Sequence, residues 1–231
     1  MSALADYGSR QFPGAQPIAG HFVKVEPIVD ARHFEALFAA FAEDGQGSIF
    51  DYMAYGPFAD EAVFRRWAEA TYLADNIRFH AILPLTTGRA EGVAALMRTN
   101  TANGVSEIGH ICLATSLQRS RAASEAFYLI MRRVFDELGY RRLEWKCDDR
   151  NQPSRRAAER LGFRYEGLFR QHMIVRGRNR DTAWYSLIDG DWPTVKAGFD
   201  AWLAPENFDA EGRQRRGLTE MRESLAKADL T

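Results

Sequence analysis

The pattern of apolar and polar positions divides the first part of the chain into three predicted elements. Residues 21–29 alternate apolar and polar side chains, which is typical of a strand. Two segments after it carry apolar residues at helical spacing: one begins near Asp30, a plausible N-cap, and the other covers 56–73. Residues 1–20 are interrupted by glycines and prolines and predict an irregular arm.

The pattern of the remaining chain alternates between strands and helices. Short apolar runs predict strands over 79–85, 90–99 and 105–114, and Asn103-Gly104 is a strong hairpin signal between the last two. Helical spacing returns between Ala123 and Leu138. The other predicted elements are a strand over 141–147, a helix over 152–161, a hairpin of 163–175 and 182–188, and a helix over 192–203.

This order of elements predicts an α/β domain with a mixed sheet over residues 21–203. Residues 204–231 form a polar tail in which Leu218, Met221 and Leu225 suggest a weakly amphipathic helix. The sequence therefore divides into an arm, one domain and a tail.

Composition narrows the class of protein. The chain has 231 residues, 46% apolar and 26% charged, which is ordinary for a globular protein with a sizeable core. Two cysteines, Cys112 and Cys147, exclude a disulfide scaffold and a four-thiolate zinc site. The five histidines are too far apart in sequence to form a zinc pair on one helix, so we predict no metal.

Nothing in the sequence predicts a targeting or membrane segment. The N-terminus lacks a basic patch followed by an apolar run, and no apolar stretch approaches the roughly 18 residues that a membrane helix needs. We therefore expect a cytoplasmic protein.

Positive charge is concentrated in one segment. The net charge is −1, yet residues 141–180 hold twelve Lys/Arg and only five Asp/Glu. Such a segment indicates either a local anionic ligand or an arginine-rich surface in solvent. RNA binding by the arginines of 150–180 is a further alternative, although no aromatic stacking motif accompanies them, so nucleic acid is an unlikely partner.

The segment from Ser106 to Gly167 carries four motifs in a fixed order. They are Glu107-Ile108-Gly109-His110, Gln118 to Ala123 followed by Ser124-Glu125-Ala126, Asn151-Gln152-Pro153-Ser154, and Leu161-Gly162-Phe163 with Tyr165-Glu166-Gly167. In this order they resemble the GNAT family of acetyl-CoA-dependent N-acetyltransferases, in particular the branch of ribosomal-protein N-terminal alanine acetyltransferases. The resemblance covers about residues 20–190.

The resemblance implies a fold and a reaction. The fold is a single GNAT-type domain with a mixed, largely antiparallel twisted sheet flanked by helices on both faces. The reaction is acetyl transfer from acetyl-CoA, as co-substrate and without a metal, to a primary amine. The acceptor, a small-molecule amine or a protein N-terminus, cannot be read from the sequence, and a homodimer is a further expectation.

The cofactor site predicted by the resemblance centres on a turn that enters a long helix. Such a turn offers several N–H donors and the positive end of the helix dipole to a pyrophosphate. Two further segments complete the site: Asn151 and Ser154 would contact the pantetheine arm and thiol, and Leu113 would offer backbone groups. The residues of the turn are Gln118, Arg119, Ser120, Arg121, Ala122, Ala123 and Ser124.

Arg121 departs from the family pattern, because it replaces a glycine. Glycine permits close approach of the backbone to phosphate or a positive φ. Two alternatives follow: the backbone at Arg121 is helical and its guanidinium contacts a phosphate, or the affinity for the cofactor is reduced. The second alternative would make the protein a catalytically weakened, GNAT-fold binding protein for acetyl-CoA.

Two residues are the predicted catalytic groups. By the resemblance, Glu107 lies on the strand beside the cofactor and would accept the amine proton, through a water molecule. Ser154 would protonate or hydrogen-bond the departing thiolate. Each has a structural alternative: Glu107 as a carboxylate paired to an arginine, and Ser154 as an ordinary residue of a helical first turn.

Overall fold

The computed structural model describes residue 4 and residues 7–228, and its centre is one twisted eight-stranded sheet. The strands run in the order β1-β2-β3-β4-β5-β6-β8-β7, and every neighbouring pair is antiparallel except β5 and β6. Their bounds are β1 Ile18–Ala19, β2 Val23–Pro27, β3 Arg78–Pro84, β4 Gly92–Asn100, β5 Val105–Leu113, β6 Arg142–Asp148, β7 Arg164–Val175 and β8 Arg178–Ile188.

Six α-helices cover the two faces of the sheet within the described residues. Both faces of β3 and β4 are buried, because successive strand residues point to opposite sides: Ala81 belongs to the core on one face and Ile82 to the core on the other. The predicted mixed, mostly antiparallel fold is confirmed. The helices are α1 Phe34–Ala42, α2 Glu61–Tyr72, α3 Arg121–Arg132, α4 Gln152–Leu161, α5 Trp192–Leu203 and α6 Leu218–Ala228.

Three local differences separate the structure from the sequence prediction. The arm contributes β1, which pairs with β2 at Ile18 and Val25. Strand β8 begins at Arg178 rather than at residue 182, because the turn of the hairpin is confined to Arg176-Gly177. Helix α3 ends at Arg132 and continues as a wider turn, which closes before Gly139.

The arm and the tail pack against the domain. Tyr140 donates its hydroxyl to the Gln11 carbonyl of the arm at 2.9 Å. Just after the arm, Glu125 of α3 accepts hydrogen bonds from the backbone N–H groups of His21 (2.8 Å) and Phe22 (2.6 Å). Leu218 of α6 is buried, and the backbone of Gly198 on α5 passes close to Arg222 of α6. The division into arm, domain and tail stays a prediction. No helix in the described part of the chain is long and apolar enough to cross a bilayer.

Candidate active site

A cleft opens where the two parallel strands separate. Strands β5 and β6 pair at three positions, where Val105–Glu107 of β5 lie beside Arg142–Glu144 of β6. Both strands continue past this pairing, β5 to Leu113 and β6 to Asp148. Beyond the last pair, the facing edges of the two strands no longer bond to each other. The resulting cleft has a volume of about 440 Å³ and is lined by residues of both strands, of α4 and of the β7–β8 hairpin.

A charged cluster stands at the point where the strands separate. Glu107 is 4% exposed, and its carboxylate accepts hydrogen bonds from Arg98 Nη1 at 2.9 and 2.8 Å. Lys146 Nζ lies 2.9 Å from Glu107 Oε2 and 2.8 Å from Glu144 Oε2, and thus bridges carboxylates of both strands. A cation between a buried and a half-buried carboxylate in paired positions offsets the repulsion between them. Glu107 therefore lines the cleft as a fully partnered carboxylate.

Trp184 completes this cluster on the neighbouring strand. It pairs with Lys146 across β6 and β8, and Lys146 Nζ lies 3.6 Å from the centroid of its ring. The Nε1 of Trp184 is buried and has no hydrogen-bond partner among the described residues. A buried indole N–H usually finds an acceptor, so a ligand in the cleft would meet an unused donor here.

Helix α4 supplies the opposite wall. Asn151 is its N-cap, with Oδ1 accepting from Ser154 N at 3.0 Å, so the structural role anticipated for Asn151 is present. Trp145 Nε1 donates to Ser154 Oγ at 3.0 Å. A hydroxyl that accepts this bond keeps its own hydrogen for donation. Asn151 and Ser154 line the same cleft as Glu107.

The predicted phosphate-binding turn lies at the carboxyl end of β5. Ser120 is the N-cap of α3, and its side chain accepts from Ala123 N at 2.9 Å. The left-handed backbone conformation in this turn falls on Arg119, with φ of 58°. The first N–H groups of α3, including that of Ala122, have no intrahelical acceptor and face outward along the helix axis. The turn thus has the donors that an anion requires, outside the cleft lining.

Arg121 has a helical backbone, and its side chain lies between two aromatic rings. Its Cζ is 4.5 Å from the ring centroid of Phe22 and 3.3 Å from that of Phe208. Its Nη2 donates to the Gly212 carbonyl at 3.4 Å. Of the two alternatives, the backbone agrees with the first. The contact of Arg121 with a phosphate stays a prediction.

Other residues of the predicted site already have protein partners. Gln118 Nε2 donates to the Leu113 carbonyl at 3.1 Å, which closes the turn after β5. Ser124 is buried, donates to the Ser120 carbonyl at 3.2 Å and accepts from Arg160 Nη1 at 3.1 Å. The Arg160 contact joins α3 to α4, so the turn and the α4 wall are held together.

The segment between α1 and α2 roofs the cleft. Tyr52 donates to the Arg150 carbonyl at 3.2 Å, and Arg176 Nη2 donates to the Tyr55 carbonyl at 2.8 Å. The Tyr55 ring stacks on His110 at 5.6 Å between centroids. Burial lowers the pKa of His110, so this imidazole is neutral at physiological pH and could also accept a proton.

The two cysteines are poor candidates for nucleophiles. Burial raises the pKa of Cys112 to about 12 and also raises the pKa of Cys147. Both thiols are therefore protonated and inert near neutral pH. The described residues contain no group of three or more His, Cys, Asp or Glu side chains that could hold a metal ion.

Part of the positive charge in 141–180 is neutralised within the fold. Four of its eleven arginines are paired to carboxylates at 3.0 Å or less, which reduces the charge that RNA could contact. These pairs are Arg142 with Glu144 and Glu166, Arg150 with Asp148, Arg155 with Asp149, and Arg164 with Asp191.

Sequence reasoning located Glu107, Asn151 and Ser154, which the fold brings into one cleft, and the 118–124 turn, which lies outside its lining. It missed the partners Arg98, Lys146 and Trp184 and the roof residue Tyr55. These residues belong to no motif: strand pairing brings Arg98, Lys146 and Trp184 to the cleft, and the segment between α1 and α2 brings Tyr55. Polar residues alternate with apolar ones along β6, and this pattern was the one available sign that Lys146 shares a face with Glu144.

Comparisons with known proteins agree with this geometry. The family "Acetyltransferase (GNAT) domain" matches residues 23–164. A solved GCN5-related N-acetyltransferase from Brucella melitensis is 46% identical, with a TM-score of 0.91, over 94% of this chain and 98% of that chain.

Two curated relatives are more distant. YdaF of Bacillus subtilis, provisionally named a ribosomal N-acetyltransferase, is 29% identical over 112 residues, 48% of this chain and 61% of YdaF. Protein p20 of Bacillus licheniformis, named an uncharacterized N-acetyltransferase, is 27% identical over 147 residues, 62% of this chain and 82% of p20. The match thus spans less than two thirds of YdaF. The predicted family and its enzyme class of N-acetyltransferases are confirmed: the chain belongs to the GNAT family of acetyltransferases.

Proposed function

We propose that the protein transfers the acetyl group of acetyl-CoA to a primary amine by direct attack of the amine on the thioester. The observation that carries this proposal is the separation of β5 and β6 into a cleft. This cleft has Glu107 on one wall and Ser154 on the other, and the 118–124 turn lies at the carboxyl end of β5. Membership of the GNAT family supplies the co-substrate, because the family uses acetyl-CoA.

The chain's own groups suit an extended, anionic co-substrate. The first N–H groups of α3 would bind the pyrophosphate, and the free edges of β5 and β6 would bond the amides of the pantetheine arm. Asn151 and Ser154 would line the path of the arm toward Glu107. The thioester would then lie between the carboxylate and the serine hydroxyl.

The protons lost by the amine and gained by the thiolate define separate roles for Glu107 and Ser154, on opposite sides of the cleft. An alkyl ammonium gives up one proton before its nitrogen attacks the carbonyl carbon, and a second when the amide forms. The thiolate takes up one proton after the C–S bond breaks. Glu107, through water, would accept from the ammonium, while Ser154, whose oxygen already accepts from Trp145, would donate toward the thiolate. Because Arg98 and Lys146 occupy the Glu107 oxygens, water would share them.

The acceptor is proposed at the level of class. The name of YdaF refers to ribosomal acetylation, which favours a protein N-terminus over a small-molecule amine. The roof formed by the α1–α2 segment and the β7–β8 hairpin leaves a covered passage that would suit an extended chain terminus. A small amine carrying a second recognition group would fit the same passage.

Two measurements test the proposal. Calorimetric titration with coenzyme A should show saturable binding, and a panel of amines and peptides with acetyl-CoA should give thiol release that depends on the acceptor. Saturable binding with no turnover on any acceptor would instead favour the weakened binding protein. Absence of binding at millimolar coenzyme A would contradict both.

A further inference from the structure

We propose that the acceptor carries a carboxylate near its reacting amine and that Arg180 is the residue that recognises it. This inference rests on the proposed acetyl transfer and names the substrate class for the same site. The ligand chemistry is an amine followed by a carboxylate. Either a free amino acid or a protein N-terminus with an early acidic residue could supply it.

Arg180 has both a buried donor and no ion pair in the described part of the chain, whereas Arg178, which also forms no ion pair there, is exposed. The Nε of Arg180 is buried without a hydrogen-bond partner, and none of the ion pairs among the described residues includes this residue. By contrast, Arg150 is paired to Asp148 at 3.0 Å, and Arg176 donates to backbone carbonyls of the roof. A partly buried guanidinium that lacks an acceptor is costly unless a ligand supplies one.

The position of Arg180 joins the reaction cleft to a second cavity. It lines the cleft that holds Glu107 and also a neighbouring cavity of about 520 Å³ between the roof segment and the tip of the β7–β8 hairpin. Tyr52 and Asp148 likewise line both. A chain that enters through the second cavity would pass Arg180 before its amine reaches Glu107.

The charges of the second cavity favour an anion. Its lining has four arginines and two aspartates, and Asp148 is held by Arg150, so the remaining acidic group is the exposed Asp51. The two other aspartates between α1 and α2 are committed locally: Asp44 accepts from Ile49 N at 2.9 Å, and Asp60 caps α2. The ionisable lining residues are Asp51, Asp148, Arg150, Arg176, Arg178 and Arg180.

Arginine suits a carboxylate because its planar N–H donors match the two oxygens. Loss of such a charge-assisted contact weakens binding by roughly ten- to a hundredfold. Because the amine reacts elsewhere in the cleft, this loss should raise KM for acidic acceptors and change kcat little.

Matched acceptors test the inference in two arms. The first pair is aspartic acid and its diamide; the second is the tetrapeptide amide Ser-Asp-Ala-Ala and its Ser-Asn-Ala-Ala counterpart. For at least one pair, the parent protein should acetylate the acid with at least tenfold higher kcat/KM than the amide. The pair that shows the preference identifies the source of the carboxylate.

The variant Arg180→Gln should abolish this preference through KM, while calorimetric affinity for coenzyme A stays within threefold of the parent. Arg178→Gln, on the exposed rim of the same cavity, is the control and should retain most of the preference. Equal acetylation of acid and amide by the parent, or an unchanged preference in Arg180→Gln, would overturn the inference.

A binding measurement separates this inference from the transfer reaction. The N-acetylated forms of the two tetrapeptides are titrated into the protein in the presence of coenzyme A. Parent protein should bind the acidic product about tenfold more tightly, and Arg180→Gln should bind both alike. If no acceptor is acetylated, the proposed function fails, and this titration alone decides whether the carboxylate site exists.

Discussion

Glu107 and Arg180 lie on the same cleft, yet the protein treats their charges in opposite ways. Glu107 is buried with Arg98 and Lys146 on its oxygens, so its charge is balanced before any ligand arrives. Arg180 has a buried Nε that no described residue accepts from. A balanced charge fixes the geometry of the strands, whereas an unbalanced one is available for recognition. The contrast separates groups that build the site from groups that select what enters it.

The largest expected effect tests whether Glu107 does more than balance charge. Glu107→Gln should lower kcat by about 10²–10⁴, the usual cost of removing a positioned base. Coenzyme A affinity should stay nearly intact. Steady-state kinetics measure the first quantity and calorimetric titration the second.

Glu144→Gln is the matched control, because Glu144 touches the same Lys146 from the neighbouring strand. It should destabilise the cluster comparably and leave kcat within about threefold, since it does not line the cleft. An equal loss of kcat in both variants would assign the effect to Lys146 and the charge balance instead. Turnover of Glu107→Gln within twofold of the parent would remove Glu107 from the mechanism.

The next effect concerns Arg121, a cation held by aromatic rings in place of a carboxylate. If its guanidinium also contacts a phosphate, Arg121→Ala should weaken coenzyme A binding by roughly ten- to a hundredfold, less at high salt. Phe208→Leu removes the ring contact at 3.3 Å and keeps the charge, so it should change that affinity less. Calorimetry at two salt concentrations distinguishes the variants.

Tighter binding of coenzyme A by Arg121→Gly than by the parent would show that arginine obstructs the turn. If Arg121→Ala and Phe208→Leu weaken coenzyme A binding equally, Arg121 acts by holding the segment between α5 and α6 in place.

The smallest expected effect is on stability and concerns the ion pair of Arg142 and Glu166, which lies outside the cleft. The hydrogen bonds from Arg142 lower the pKa of Glu166 to about 2. A depressed carboxyl pKa stabilises the fold above the unfolded value near 4.5, and this stability is lost as the pH falls toward 2. Glu166→Gln should therefore lower the free energy of unfolding by about 0.5–1 kcal/mol at pH 7, because the pair is partly exposed.

The difference between parent and Glu166→Gln should shrink as the pH is lowered from 5 to 3. Urea denaturation at several pH values measures it. A difference that does not change with pH would mean that packing, rather than the ion pair, accounts for the loss.

The sequence predicted the elements well where local signals decide them. Helix α4 was expected over 152–161 and is found there, because Asn151 caps it and Gly162, with φ of 105°, ends it. The start of β8 was missed, since Arg178 to Asp181 are polar residues near the hairpin tip, where pairing with β7 rather than an apolar pattern fixes the strand. Local periodicity does not encode such pairing.

The candidate site was predictable only in its motif residues. Glu107 and Ser154 belong to motifs of fixed order, but Lys146 reaches Glu107 because β5 and β6 are parallel over three positions and then separate. The unpartnered state of Arg180 depends on how many other arginines find carboxylates nearby. Both facts concern distances between segments that are far apart in sequence.

The position of Arg121 between Phe22 and Phe208 bears on cooperativity. A loop that opens independently would show hydrogen exchange much faster than its surroundings. Here the first residue of α3 holds one ring from the residue before β2 and one from the segment between α5 and α6, so opening the turn detaches both. The amides of 118–124 and those of 205–215 should therefore exchange as one unit, and coenzyme A should slow the exchange of both together.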